Sequence, residues 1–127
     1  MTVSLTIREA AAETGVSAHT LRYYERIGLL APVERDLGGH RRFSEGDLGS
    51  VRFLTMLRAT GMPIREMVEF VNLTRAGDHT IPWRVEVLER HRDALEARMA
   101  DDEAHLAALD RKISIYRDLL AKAKKPA

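Results

Sequence analysis

The chain has no cysteine, which removes disulfides, thiolate metal ligands and thiol redox chemistry together. No segment approaches the roughly 20 consecutive apolar residues that a membrane span requires. The opening MTVSLTIREAAAETG has no basic start followed by an apolar run of the kind that directs export. No membrane partner and a cytoplasmic location are therefore expected. Aromatics are scarce at 6%, and 20 basic against 19 acidic residues leave a formal charge of only +1. Global charge thus announces no polyanionic partner, and any such case must be made locally. At 127 residues the chain has room for one compact domain and an accessory element, not for a catalytic domain with a second lobe. No nucleophile, base and oxyanion arrangement is visible, so neither catalytic residues nor a cofactor is expected.

What is abundant is alanine, leucine, arginine and glutamate, which favours helix. Thr6 with Glu9 three places later is a capping box that opens a short helix carrying Ile7, Ala10 and Ala11 on one face. Gly15 should close it, and Ser17 should cap a second helix running through His19-Thr20-Leu21-Arg22-Tyr23-Tyr24-Glu25-Arg26. Helix, glycine-containing turn and helix form a helix-turn-helix pattern. Gly28 and Pro32 end the second helix, and Val33 to Phe43, with Gly38-Gly39 at its centre, reads as a small β-hairpin, a candidate wing. Ser44 and Asp47 cap a third helix whose inward positions are read as Leu48, Val51, Phe53, Leu54 and Leu57. After the Thr60-Gly61-Met62-Pro63 turn, a fourth helix should face inward through Ile64, Met67, Phe70 and Val71.

Between Arg84 and Lys122 there is neither glycine nor proline, so this stretch predicts a single helix far too long for a small globule. Its apolar residues Val85, Leu88, Leu95, Met99, Leu106, Leu109, Ile113, Tyr116 and Leu120 follow alternating steps of three and four if Arg92 and Asp102 fill the two gaps. That is a coiled-coil seam with two polar interruptions. A lone helix would leave the seam in water, so a second copy of the chain is its most economical partner. The organisation expected is a domain over 1–75, a hinge over 76–83, a dimerisation helix over 84–122 and a frayed tail over 123–127. Trp83, close to where Phe70 and Met67 of the fourth helix should pack, is read as a hydrophobic peg at the hinge or, alternatively, as lining an effector pocket.

The residues TIREAAAETGVSAHTLRYYERIGLL, followed by GGHRRFSEGDL and LRATGMPIREM, resemble the MerR family of bacterial regulators over residues 5–74. The Leu21-Arg22-Tyr23-Tyr24-Glu25 block between a turn and Gly28-Leu29-Leu30, combined with a wing of glycine, arginine and an aromatic, is highly specific. The resemblance implies a mainly α fold, a winged helix-turn-helix with a small β-hairpin wing followed by a long antiparallel coiled-coil helix. It also implies a homodimer that binds a pseudo-palindromic operator in double-stranded promoter DNA, and distorts it so that RNA polymerase is affected indirectly. The chain departs from the usual pattern of that family: His40 stands where members usually carry tyrosine, the later wing aromatic is Phe43, which packs but cannot donate a hydrogen bond, and the cysteines of metal- and redox-sensing members are absent. An effector-responsive activator that answers a small molecule, a repressor and a ligand-independent regulator all remain open at this point. The rival from another class is a coiled-coil adaptor whose helix-turn-helix contacts protein.

In this architecture the second helix enters the major groove, which assigns Arg22, Tyr23 and Tyr24 to base edges or phosphate, with one tyrosine belonging to the core as the alternative, and Ser17, His19 and Thr20 to phosphate at the helix start. Ser17 is equally explained as a cap. His40, Arg41 and Arg42 belong to the wing, where one of the two successive arginines should face away, and Arg58 with the Gly61 turn forms a further candidate backbone clamp. Between Ser17 and Arg65 there are eight arginines against five acids, a modest local excess of positive charge. The five histidines, at 19, 40, 79, 91 and 105, lack metal-ligand spacing, so no metal site is expected. If the dimer helices run antiparallel, Arg92 facing the partner's Asp102 gives each charge an opposite one twice over. That register sets Leu95 opposite Met99, Leu88 opposite Leu106 and Val85 opposite Leu109.

Overall fold

The structure is a computed structural model and describes residues 4–124. Two compact units divide the chain, Met1–Leu88 and Glu89–Ala127. In the first, β1 (Ser4–Leu5) leads into α1 (Ile7–Thr14), α2 (Ala18–Arg26), β2 (Phe43–Ser44), α3 (Glu45–Ala59) and α4 (Ile64–Ala76). A single 3-10 turn, Asp78–Thr80, then opens α5 (Ile81–Lys124), whose residues from Glu89 onward make up the second unit.

Helix ends fall where side chains can satisfy the free backbone groups. Thr6 accepts from the Glu9 amide at 3.2 Å while Glu9 takes the Thr6 amide at 2.9 Å, and that reciprocal bond holds the Glu9 carboxyl below its ordinary range. Ser44 and Asp47 repeat the arrangement at the start of α3. Gly15 closes α1 in the left-handed region, at φ 74°, which a side chain would resist.

One core runs through the first unit, built from Ala10, Leu21, Tyr24, Leu29, Leu30, Val33, Phe43, Leu48, Val51, Leu54, Leu57, Met62, Met67 and Val87. Leu21 and Tyr24 sit three apart on α2, and Leu48, Val51, Leu54 and Leu57 recur every three residues on α3, so each helix buries one stripe. Truncating a fully buried member such as Leu21 to alanine costs about 2–5 kcal/mol. Phe53, expected inside, is 37% exposed. Two residues beyond Val51 it lies some 200° round the helix, and it packs instead at the rim against Phe70, with ring centroids 5.6 Å apart.

The β-pairing also differs from expectation. Residues 33–43 do fold back, with the Asp36 amide donating to the His40 carbonyl at 2.9 Å and the Arg42 amide to the Glu34 carbonyl at 2.7 Å. That narrow hairpin contains only the single bridge Arg35–Arg41. The regular antiparallel pairing is between β1 and β2, with Ser4 opposite Ser44 and Leu5 opposite Phe43. The chain start thus anchors the base of the wing.

At the expected hinge, α5 begins at Ile81 rather than Arg84. Pro82 lies in its first turn, where a missing N–H breaks no intrahelical bond. Thr80 is buried, and its hydroxyl lies 2.5 Å from the Leu73 carbonyl and 2.7 Å from the Gly77 carbonyl while accepting from Arg84 Nε at 3.1 Å. Trp83, read as a peg, is 54% exposed, and Val87 takes the inward position. Ala123 and Lys124, expected to fray, are helical, and Lys125, Pro126 and Ala127 lie outside the described residues.

Candidate nucleic-acid interface

The spacing that sends Leu21 and Tyr24 inward leaves His19, Arg22 and Arg26 exposed on α2. Ser17 caps this helix, accepting from the Thr20 amide at 3.1 Å and donating to the Thr20 hydroxyl at 2.9 Å. Tyr23 is half-buried beneath Arg26, whose guanidinium sits 5.4 Å from the ring centroid. Tyr24, assigned to DNA, is 6% exposed and belongs to the core. Among the described residues no buried side-chain oxygen or nitrogen lacks a partner, so the Tyr24 hydroxyl, which has no hydrogen bond to any of them, opens onto the surface.

Beside α2 lies a shallow basic hollow of about 580 Å³ lined by Thr6, Ile7, Arg8, Arg22, Arg35, Asp36, Gly39, His40, Arg41 and Arg42. It brings together Arg22, His40, Arg41 and Arg42 from the sequence assignment. Both wing arginines line it, although one was expected to face away. Ser17, His19, Thr20, Tyr23, Tyr24, Arg58 and Gly61 are not part of its lining; Arg58 donates to the Met62 carbonyl at 3.4 Å, at the turn where Gly61 takes φ 90°. Sequence reasoning missed Arg8 and Arg35. The first was read only as part of a supporting helix, and the second reaches the hollow through the fold-back of the wing.

The arginines differ in how they are held. Arg22 and Arg8 make no hydrogen bond or ion pair among the described residues. Arg35 donates to the Gly39 carbonyl at 2.9 Å, and Arg42 to the Ser4 carbonyl at 2.8 Å. Arg41 is tied down, with its Nε 2.7 Å from Glu25 Oε1 and only 21% of its side chain exposed. The other Glu25 oxygen accepts from the Val33 amide at 2.7 Å. Burial opposes the Glu25 charge, yet the Val33 amide and the Arg41 and Arg35 guanidiniums outweigh it and hold the carboxyl below its ordinary value. A carboxylate on α2 therefore clamps the wing. At the wing's tip the Asp36 carboxyl is held low by the His40 amide first of all; burial opposes this, and the Gly38 amide and the His40 ring add to the lowering.

Two other candidate sites fare differently. No group of three or more His, Asp or Glu side chains among the described residues is placed to hold a metal ion. A groove of about 440 Å³ between α3 and α4 is lined chiefly by Leu29, Phe53, Leu54, Phe70 and Val71, and Trp83 is not part of it. No helix among the described residues is long and apolar enough to cross a membrane.

Residues 6–43 match the family described as MerR family regulatory protein, and residues 48–112 match the one described as MerR, DNA binding. An uncharacterized HTH-type transcriptional regulator of Haemophilus influenzae is 35% identical over 115 residues, covering 91% of this chain and 85% of that protein. This chain belongs to the MerR family. It is a DNA-binding transcriptional regulator built on the MerR winged helix-turn-helix. A MerR regulator structure from Listeria monocytogenes superposes with a TM-score of 0.89 at 40% identity, over 95% of this chain and 92% of that one. HiNmlR, described as a MerR family regulator lacking the sensor domain and bound to promoter DNA, gives a TM-score of 0.83 at 36% identity over 95% and 94% of the two chains. AdhR of Bacillus subtilis, also HTH-type, is 36% identical over 91 residues, 72% of this chain and 65% of that protein.

Proposed function

We propose that the chain acts as a homodimer on a pseudo-palindromic operator in promoter DNA, each copy laying α2 in the major groove and its wing along the flanking backbone, and that it distorts the duplex to control initiation by RNA polymerase. The observation that carries this reading is the convergence of Arg8, Arg22, Arg35, Arg41 and Arg42 on one hollow beside the exposed face of α2. Clustered guanidiniums against an open surface suit phosphates, and Arg22, with no hydrogen bond or ion pair among the described residues, is placed to reach a guanine edge. The likeness to HiNmlR, whose structure is bound to promoter DNA, supports the same partner. No catalytic role and a cytoplasmic setting accompany it.

The dimer rests on α5. Met99, Leu106, Leu109, Ile113, Tyr116 and Leu120 are 46–61% exposed, and Val85 is also exposed, while Leu88 packs partly on the core of its own unit. An apolar stripe of this length is stable in water once a second copy covers it. The antiparallel register that pairs Arg92 with the partner's Asp102 matches charge, whereas a parallel pairing would stack like on like. Arg92 is meanwhile held by Asp93 and Glu96 on its own helix, at 3.4 and 3.6 Å.

Selection of bound duplexes from a random DNA pool by the purified full chain tests the reading. The expected result is a pseudo-palindrome bound by two copies, with affinity falling steeply as salt rises. Arg22→Ala should weaken it by about 1–3 kcal/mol per half-site and relax base preference. A chain that dimerises but ignores DNA at low salt would hand the fold to the adaptor reading.

A further inference from the structure

We infer that Leu37, at the tip of the wing, is a DNA-contacting residue that presses into the minor groove beside the α2 contact. This rests on the regulator reading above and adds an apolar contact to it. Leu37 is 109% exposed, more than in an open reference peptide, whereas no other large apolar side chain among the described residues exceeds 61%. The exposure belongs to a braced turn. The Gly39 amide donates to the Asp36 carbonyl at 3.0 Å, and Asp36 Oδ1 accepts from the amides of both Gly38 and His40, each at 3.0 Å. Arg35 closes the turn from below through the Gly39 carbonyl, and a Cβ on Gly38 would come within 3.0 Å of the His40 ring. The tip therefore presents its leucine from a fixed backbone.

Turn geometry does not ask for leucine at this place, where proline or a small polar residue serves better. Singly exposed leucines are ordinary on protein surfaces; two features set this one apart, its full projection and its position. It springs from between Asp36 and Gly39, both of which line the arginine hollow, so its backbone stands at the hollow's rim although its side chain is not part of the lining. Arg8, Arg22, Arg35 and Arg42, none of them ion-paired among the described residues, converge there beside the Glu25-bound Arg41 and favour a polyanion, and a duplex offers apolar side chains the deoxyribose walls and base steps of its minor groove. Leucine is among the side chains that act there as wedges and favour bending.

The test uses the full chain and a duplex it selects from a random pool, with affinity and end-to-end energy transfer as readouts. Leu37→Ala should bind about tenfold more weakly, the factor for losing most of a buried leucine side chain, and should bend the duplex less. Leu37→Met should restore both. Because the side chain touches no core residue, the melting temperature of both variants should stay that of the parent. On a duplex cut short of the wing, parent and Leu37→Ala should become indistinguishable. Equal affinity and bending for Leu37→Ala on the full duplex would overturn this inference alone, whether or not transcription with polymerase changes. A penalty that persists on the shortened duplex would overturn it as well. Failure to select any duplex would bring down the regulator reading with it.

Discussion

Replacing Glu25 with glutamine removes one of the two acceptor oxygens that hold the wing to α2. Glu25 Oε2 takes the Val33 amide and Oε1 takes Arg41 Nε, both at 2.7 Å, so the carboxylate faces two donors on opposite sides. Glutamine has one acceptor, and its amide nitrogen must then confront a donor. Val33 is 5% exposed and its N–H has little recourse to water, so the glutamine oxygen should turn to Val33 and leave the NH2 group against Arg41. The loss is one hydrogen bond between charged partners, about 1.5–3 kcal/mol, toward the lower end because a part-exposed Arg41 can rotate into solvent. Urea unfolding at fixed protomer concentration measures it. Hydrogen exchange should localise the loosening to residues 33–42. The same group governs a pH dependence. Its folded value lies below the ordinary 4.5, so its contribution is present above that value and is lost as pH falls through the folded one. Glu25→Gln should flatten that part of the acid limb. A variant within about 0.5 kcal/mol of the parent, the range of inconsequential surface changes, with unaltered wing exchange would refute the clamp.

Three further outcomes are expected. Arg92→Asp and Asp102→Arg should each weaken dimerisation in sedimentation equilibrium, while the double swap restores it; single variants with unchanged dimer stability would remove the proposed register. Thr80→Val deletes a buried hydroxyl that bonds backbone on one side and Arg84 on the other, and should cost about 1–3 kcal/mol in thermal or urea unfolding; a neutral result would mean that Arg84 alone closes the turn before α5. Gly15→Ala should cost about 1 kcal/mol from backbone conformation alone, since no atom lies within 4 Å of the added Cβ; a loss several times larger would point to a close neighbour instead.

Much of the molecule follows from short-range rules that act within a few residues. Both capping boxes, the Gly15 closure, the Ser17 cap and the Leu48, Val51, Leu54 and Leu57 stripe of α3 depend on neighbours one turn away, whereas the burial of Tyr24, which the sequence reading assigned to DNA, does not. The continuity of α5 from Arg84 to Lys122 follows from the lack of breakers, though its start at Ile81 with Pro82 in the first turn does not, so local chemistry determined most of these elements without knowledge of the rest. The family, too, was legible in one contiguous block, Leu21 to Glu25, with its wing.

Tertiary structure decided what depends on partners far along the chain. The pairing of Ser4–Leu5 with Phe43–Ser44 joins two-residue strands too short to show a period. Phe53 was misplaced because a broad apolar run hides which of its members sits at the edge. Arg41 looked like a free cation until folding brought Glu25, sixteen residues away, to its side. Arg8 and Arg35 joined Arg22 only once the first helix and the wing had been brought beside α2. A backbone period says which side of a helix is wet, but which charges converge there is fixed by the packing of separate elements, and no local pattern carries that information.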